Sequence, residues 1–198
     1  MNVTLTDHSV NGQATIAQAA GVCYGKKDKD VTRITRLKQH KHLATMRFAF
    51  AVICIEDISV ACQNQLVRSK HLDFLVESKR YVDASTRGFV LPDVGEATST
   101  ILRKTAERNM EVYTQLISHG VAKEDARAIL PANTMTSMYA AGNLQAWMDM
   151  LKLRVSKHAQ KEIREVAIEC WKELDSIYPL VFGDLIYEDK TLDEWIVT

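Results

Sequence analysis

The chain has 198 residues, with 25 basic and 25 acidic side chains, so its formal net charge at pH 7 is zero. Apolar residues make up 46% of it, which excludes a disordered chain, and the balanced charge gives no general attraction to nucleic acid or to an anionic membrane. No apolar run approaches the roughly 20 residues that span a bilayer, and the polar segment 1–7 gives no secretory signal. We therefore expect one cytoplasmic domain over residues 1–198.

The first half of the chain predicts short elements of both kinds. Alternating apolar residues indicate strands, whereas apolar residues three and four apart indicate helices. Asp30 can cap a basic helix, and the acidic pair Glu56 and Asp57 suits the first turn of another. The predicted elements are an edge strand around Val3 and Leu5, a helix over 14–22, a helix from Asp30 to about 42, a buried strand over 46–55, a helix over 58–68 and a strand over 74–82.

Longer helices dominate the second half. Glycine and proline mark residues 83–95 as a loop, and Gly120 ends an amphipathic helix over 98–119. A short helix over 123–130 precedes Pro131, and a long periodic segment predicts one helix over 143–177. Strands followed by long helices predict a single α/β (α+β) domain.

The four cysteines favour a reducing compartment. None of them belongs to a C-x-x-C pair, which makes a zinc knuckle or a redox dithiol improbable. Free thiols of this kind are typical of cytosolic proteins. The cysteines are Cys23, Cys54, Cys62 and Cys170.

Several polar patches are candidates for chemistry. Arginine beside a hydroxyl suits a phosphate, although the same residues also fit a solvated surface. Asn143 and Arg154 are eleven positions apart, within about 20° on one helix face, where they either border the core or line a pocket. No glycine-rich phosphate loop, catalytic triad or paired metal ligands occur. The residues alone therefore predict an α/β domain with an anion-binding cleft.

Taken in chain order, these patches resemble the flavin-dependent thymidylate synthases. The similarity covers about residues 20 to 179, and its second half is the more specific. The matching segments are Gln65-Leu66-Val67-Arg68, Ser78-x-Arg80-Tyr81, Ala126-Arg127 with Leu130-Pro131, Asn143, Leu153-Arg154 and Ala159-Gln160-x-Glu162-Ile163.

The resemblance implies a homotetramer of compact α+β subunits with a small, mostly antiparallel sheet and active sites shared between subunits. It implies FAD, NADPH and 5,10-methylenetetrahydrofolate as cofactor and co-substrates, and no metal. The implied reaction converts dUMP to dTMP: folate provides a one-carbon unit for C5 of the uracil, and reduced flavin provides the hydride that completes the methyl group. Neither a nucleic acid polymer nor a membrane is implied as a partner.

Site residues follow from the same resemblance. Arg154 is the implied catalytic residue, because a permanent cation at the uracil edge favours the N3-deprotonated ring. The residues implied for dUMP are Gln65, Arg68, Ser78, Lys79, Arg80, Arg127 and Arg154. The residues implied for FAD are Cys23, His42, Arg68, Ser69, Lys70, Asn143, Gln145 and Asp149.

The chain departs from the family signature R-H-R-x-x-S-x-N-E-x-S-x-R-Y. Residues 68–81 read R-S-K-H-L-D-F-L-V-E-S-K-R-Y. Ser69 and Lys70 replace histidine and arginine, and residues 75–76 replace an amide and a carboxylate with Leu and Val. Glu77 comes one position late and is expected on the opposite face of a strand. Arginine is also frequent where Gln145 stands. The arginines implied for the phosphate and for the base are thus better preserved than the residues implied for the flavin.

Two alternatives remain open at the level of sequence. The altered signature could accept another pyrimidine nucleotide, such as UMP or dCMP, or stop at a hydroxymethyl group. The second alternative is a paralogue that binds nucleotide but has lost the flavin.

Overall fold

A four-stranded antiparallel sheet with the order β1-β2-β4-β3 forms the centre of the protein. The computed structural model describes residues 1–189 and 194–197. The sheet consists of β1 (Asn2–His8), β2 (Phe50–Ser59), β3 (Asp73–Val76) and β4 (Met135–Asn143), and a separate hairpin consists of β5 (Ile186–Asp189) and β6 (Glu194–Val197). The predicted α/β (α+β) class with a small antiparallel sheet is confirmed.

Helices pack around this sheet and extend beyond it. They are α1 (Gly12–Val22), α2 (Arg33–Gln39), α3 (Val60–Leu66), α4 (Glu96–Ser118), α5 (Lys123–Ala126), α6 (Leu144–Arg154), α7 (Lys161–Ile177) and α8 (Pro179–Phe182). Short 3₁₀ turns occupy Leu43–Phe48, Ala84–Thr86 and Arg127–Ile129. The predictions of an edge strand near the N-terminus, a helix up to Val22 and a long helix ended by Gly120 are confirmed.

The central strand β2 begins and ends later than predicted. Residues 46–48 belong to the 3₁₀ turn, and the strand continues to Ser59, past a register shift at Asp57 where φ is 56°. The prediction that Glu56 and Asp57 open a helix is therefore wrong. Helix α3 begins at Val60, because the Ser59 hydroxyl accepts a hydrogen bond of 2.9 Å from the Cys62 amide.

Two further elements are shorter than the sequence predicts. Helix α2 covers only Arg33–Gln39, since the Asp30 carboxylate accepts hydrogen bonds from Thr32 in the preceding turn instead of capping the helix. Strand β3 ends at Val76 rather than at 82, and the chain turns at Ser78, whose carbonyl accepts from the amides of Tyr81 and Val82.

The predicted single helix over 143–177 is wrong: it is two helices. Helix α6 ends at Arg154 and α7 starts at Lys161, with a turn in which the Ala159 amide bonds to the Ser156 carbonyl at 2.8 Å. Both helices carry the same apolar spacing, so periodicity cannot reveal the break. The turn lets both helices bury their apolar faces in one core, and it removes residues 158–160 from the helix in which the sequence places them.

Strand β4, which the sequence pattern does not predict, pairs with both β2 and β3. Its inward positions are Thr136, Met138, Ala140 and Gly142, and only the methionine is a large apolar residue. The small and polar residues disguise the alternation that identifies a strand.

Helix α6 lies against the sheet through one buried side chain in particular. The fully buried Trp147 donates from its indole nitrogen to the Ala51 carbonyl of β2 at 3.2 Å. A second, smaller cluster forms around Tyr113 of α4, whose hydroxyl accepts from the Ala84 amide at 3.4 Å.

Replacing Gly142 with alanine should destabilise the fold. A Cβ there would lie 2.6 Å from Leu72 Cδ2 and 3.2 Å from the His71 carbonyl. We expect Gly142→Ala to lower the free energy of unfolding by about 1–3 kcal/mol in urea titrations. The matched control is Gly88→Ala, where the nearest atom is the flexible Met135 sulfur at 3.2 Å. Its effect should stay within about 0.5 kcal/mol, and equal effects at both positions would contradict the packing argument.

The cysteines should differ sharply in reactivity. Burial and the nearby Glu162 carboxylate raise the pKa of Cys62 to about 12, and burial raises the pKa of Cys170 as well, whereas Cys23 is exposed. Because the thiolate is the reactive form, iodoacetamide should label Cys23 rapidly in the native protein and reach Cys62 and Cys170 only after unfolding. Peptide mass spectrometry checks the order, and native labelling of Cys62 would contradict it.

Candidate functional site

Arg154 ends α6 beside the end of α3. Its Nη2 donates a hydrogen bond of 2.5 Å to the Gln65 carbonyl. The Gln65 side chain in turn donates from Nε2 to Oε1 of Gln160, at the start of α7. We call these three residues the Arg154 group. The break between α6 and α7 is what brings Gln160 back towards α3.

Two buried polar atoms, one in Arg154 and one in the turn after α3, lack a hydrogen-bond partner among the described residues. They are Nε of Arg154 and the hydroxyl of Ser69, a residue whose exposed fraction is only 7%. Buried polar atoms are normally hydrogen-bonded, so an unpaired one needs an explanation. A bound polar ligand would provide the missing partners.

A second set of polar residues, the Arg80 group, lies near α5. Both Nε and Nη2 of Arg80 are 2.7 Å from Oε2 of Glu124, and Nε of Arg127 donates to the Glu124 carbonyl at 3.0 Å. The Arg80 and Glu124 side chains are about half exposed, with fractions of 53% and 47%. An ion pair this exposed is weak, so Arg80 can exchange Glu124 for a phosphate at little cost.

The segment just before Arg80 faces the protein interior. Lys79 donates from Nζ to a Glu77 carboxylate oxygen at 2.6 Å and to the Met135 carbonyl at 2.8 Å. Lys79 and Arg127 also line a cavity of about 300 Å³, together with Val60, Leu130, Pro131, Ala132 and Thr134. The Lys79 ammonium, which the resemblance implies for dUMP, therefore bonds to Glu77 and Met135 at the wall of this cavity.

The predicted nucleotide residues do not form one network of hydrogen bonds and ion pairs. Among residues 1–189 and 194–197, no hydrogen bond or ion pair joins the Arg154 group to the Arg80 group. Arg68 and Lys70 are exposed in the turn after α3, and Ser78 is half-buried in the turn after β3. Each group is thus a partial anion site.

The residues implied for FAD lie in four places: after α1, before the first 3₁₀ turn, in the turn after α3 and at the start of α6. Asn143 caps α6, its Oδ1 accepting from the Ala146 amide at 3.0 Å, and Gln145 and Asp149 lie one turn apart on the same helix. Cys23 is exposed directly after α1. His42 precedes the first 3₁₀ turn and lines a cleft of about 210 Å³ with Tyr24, Arg36 and His40 among its other walls.

Arg47 is a candidate that sequence reasoning missed. It lies in the 3₁₀ turn before β2, and its Nε donates to Oε1 of Gln145 at 2.7 Å. A guanidinium therefore stands beside the position where the resembling family often has arginine. The two residues are 98 positions apart, so no local pattern could have joined them.

The described part of the chain contains no cluster of three or more His, Cys, Asp or Glu side chains able to hold a metal ion. None of its helices is both long and apolar enough to cross a membrane.

Comparison with known proteins identifies a family and several relatives. The family described as "thymidylate synthase complementing protein" matches residues 4–180. A flavin-dependent thymidylate synthase of Mycobacterium avium is 30% identical over 206 residues, covering 91% of this chain and 82% of the relative. Enzymes of the same name from Mycobacterium marinum and Corynebacterium glutamicum are each 29% identical, over 96% and 92% of this chain and 86% and 83% of their own lengths. The chain therefore belongs to the thymidylate synthase complementing protein family.

Proposed function

We propose that this protein is a flavin-dependent thymidylate synthase that converts dUMP to dTMP. The observation that carries the proposal is the half-buried Arg154, held by the Gln65 carbonyl with its Nε unpaired. Family membership and the names of the relatives support the same reaction. We also propose the cytoplasm as its location, in keeping with four free cysteines.

Arg154 suits the base end of the nucleotide. A guanidinium stays charged at any working pH, and in a partly buried position it stabilises a developing anion more than it would in water. Against the uracil edge it favours loss of the N3 proton, which increases electron density at C5. One of its nitrogens is fixed by Gln65, so the remaining donors keep a defined direction.

The Arg80 group suits the phosphate end. Arg80 pairs with the Glu124 carboxylate and Arg127 with the Glu124 backbone carbonyl, so exchange of that carboxylate for a phosphate gives Arg80 an anionic partner beside Arg127. Ser78 adds a hydroxyl from the adjoining turn. On this assignment Arg68 and Gln65, at the end of α3, complete the nucleotide site.

The flavin fits the residues at the start of α6. The unpaired Ser69 hydroxyl, the amide of Asn143 and the Arg47–Gln145 pair offer donors and acceptors of the kind that a flavin ring and its phosphates require. When bound, reduced FAD supplies the hydride for the methyl group. NADPH as reductant and methylenetetrahydrofolate as carbon donor belong to the same proposal.

We propose further that active sites form between subunits of a homotetramer. A dUMP molecule needs both base and phosphate contacts, while the Arg154 group and the Arg80 group share no hydrogen bond or ion pair within the described residues. Pairing the first group of one subunit with the second group of another completes the site.

Removing the guanidinium of Arg154 should abolish turnover without disturbing assembly. We expect Arg154→Ala to reduce tritium release from [5-³H]dUMP by about 100-fold or more, the usual effect of losing a preorganised charge at the reacting group. The control is Lys152→Ala, which removes an exposed cation from the same turn of α6. Near-normal turnover in Arg154→Ala, with its flavin absorbance and oligomer retained, would overturn the assigned role.

Mixing two inactive variants tests whether sites are shared. Arg154→Ala damages one group and Arg127→Ala damages the other. If each site combines groups from two subunits, tetramers co-expressed from both variants at equal levels should regain about one quarter of parental activity, because one in four pairings is intact. Sites contained within single chains predict no recovery, and that result would overturn the shared site.

A further inference from the structure

Glu77 forms a buried cluster of three charges with Lys79 and Arg87. One of its carboxylate oxygens accepts from Lys79 Nζ at 2.6 Å, and the other pairs with Nη2 of Arg87. The exposed fractions of the Glu77, Lys79 and Arg87 side chains are 9%, 12% and 31%. The Glu77–Lys79 pair is poorly screened because both side chains are mostly buried, and removing one partner leaves the other charges uncompensated.

The cluster closes a loop. Glu77 and Arg87 stand at the two ends of residues 78–86, and both ends are also fastened to β4. The Glu77 amide donates to the Ser137 carbonyl at 2.9 Å, and the Gly88 carbonyl accepts from the Met135 amide at 2.9 Å. Lys79 extends the connection by donating to the Met135 carbonyl at 2.8 Å. The loop is thus held at its base by charge as well as by backbone hydrogen bonds.

The closed loop carries two of the proposed phosphate ligands. Ser78 follows Glu77 directly, and Arg80 follows Lys79, so the cluster alternates with the ligands along the chain. Lys79 turns inwards to Glu77, whereas Arg80 is exposed towards Glu124. Because Glu77 and Lys79 are fixed by their ion pair, the neighbouring Ser78 and Arg80 have a restricted range of positions.

This cluster explains why the glutamate of the family signature can stand one position late in this chain, at Glu77 instead of position 76. A carboxylate at position 76 would project from β3 at a site where the present valine is 38% exposed. At position 77 the carboxylate lies beyond the end of β3. There it pairs with Lys79, two positions away, and with Arg87, ten positions away.

We propose that Glu77 and Arg87 are positioning residues that hold the Ser78–Arg80 segment for the nucleotide phosphate. This inference rests on the proposed function. Neither residue contacts the nucleotide in the proposal; both act through the loop that they close. Because they organise a site before the ligand arrives, their loss affects nucleotide affinity more than the chemical step.

Glu77→Gln distinguishes positioning from a simple effect of charge. Removing a negative charge near a phosphate site strengthens anion binding by Coulomb attraction, whereas releasing the loop weakens it. We expect the KM for dUMP to rise about tenfold, the effect of losing a charge-assisted hydrogen bond. The kcat should change by less than about twofold, and affinity for deoxyuridine, which lacks the phosphate, should stay the same.

Two further variants keep this test decisive. Arg87→Lys keeps the charge but removes the guanidinium Nη2 that pairs with Glu77. It lies at the more exposed edge of the cluster, so it answers the question if Glu77→Gln does not fold. We expect a rise of about threefold in KM from it. Glu169→Gln removes the carboxylate of an exposed ion pair with Lys172 on α7 and should leave both constants unchanged.

The possible results separate this inference from the proposed function. A KM for dUMP that is unchanged or lower in folded Glu77→Gln overturns positioning, as does an equal loss of affinity for dUMP and deoxyuridine. If the parent protein neither binds dUMP nor releases tritium, the proposed function fails and the positioning role fails with it. If the parent protein turns over normally and the KM for dUMP is unchanged in Glu77→Gln and Arg87→Lys, only the positioning role is overturned.

Discussion

The antiparallel pairing of β2 with β4 is the constraint on which the rest of the structure depends. It runs from Phe50 opposite Asn143 to Ser59 opposite Met135. At the first end β4 passes directly into α6, which places Gln145 beside Arg47. At the other end β2 passes into α3, and the Met135 carbonyl receives Lys79. The Arg47–Gln145 pair and the loop that carries the proposed phosphate ligands are therefore attached to opposite ends of one pair of strands.

Balanced charge overall conceals strong local charge. The formal net charge is zero, yet the Glu77 carboxylate faces both Lys79 and Arg87, and Glu124 bonds to Arg80 through its carboxylate and to Arg127 through its backbone carbonyl. Clusters of this composition favour an incoming anion. The two clusters differ in exposure, and exposure decides what each can do: the buried one holds the chain in place, whereas the exposed one can exchange its carboxylate for a ligand.

Much of the fold could be predicted wherever the pattern was local and strongly periodic. The edge strand, α1 and α4 were predictable because their apolar spacing or their glycine stop lies within a few residues. The break between α6 and α7 was not, because apolar periodicity continues through both helices. Strand β4 was hidden for the opposite reason, since its inward positions hold threonine, alanine and glycine, which carry little hydrophobic signal.

By itself, the sequence determined which residue types could carry the chemistry and in what order, and this was enough to indicate the family. Only the tertiary structure decided how these residues combine. It holds the predicted nucleotide ligands in two networks that share no hydrogen bond or ion pair among the described residues, joins Arg47 to Gln145 across 98 positions, and gives the displaced Glu77 two cationic partners. The physical reason is that pairing between distant segments depends on strand register and burial, and neither is encoded in any short stretch of chain.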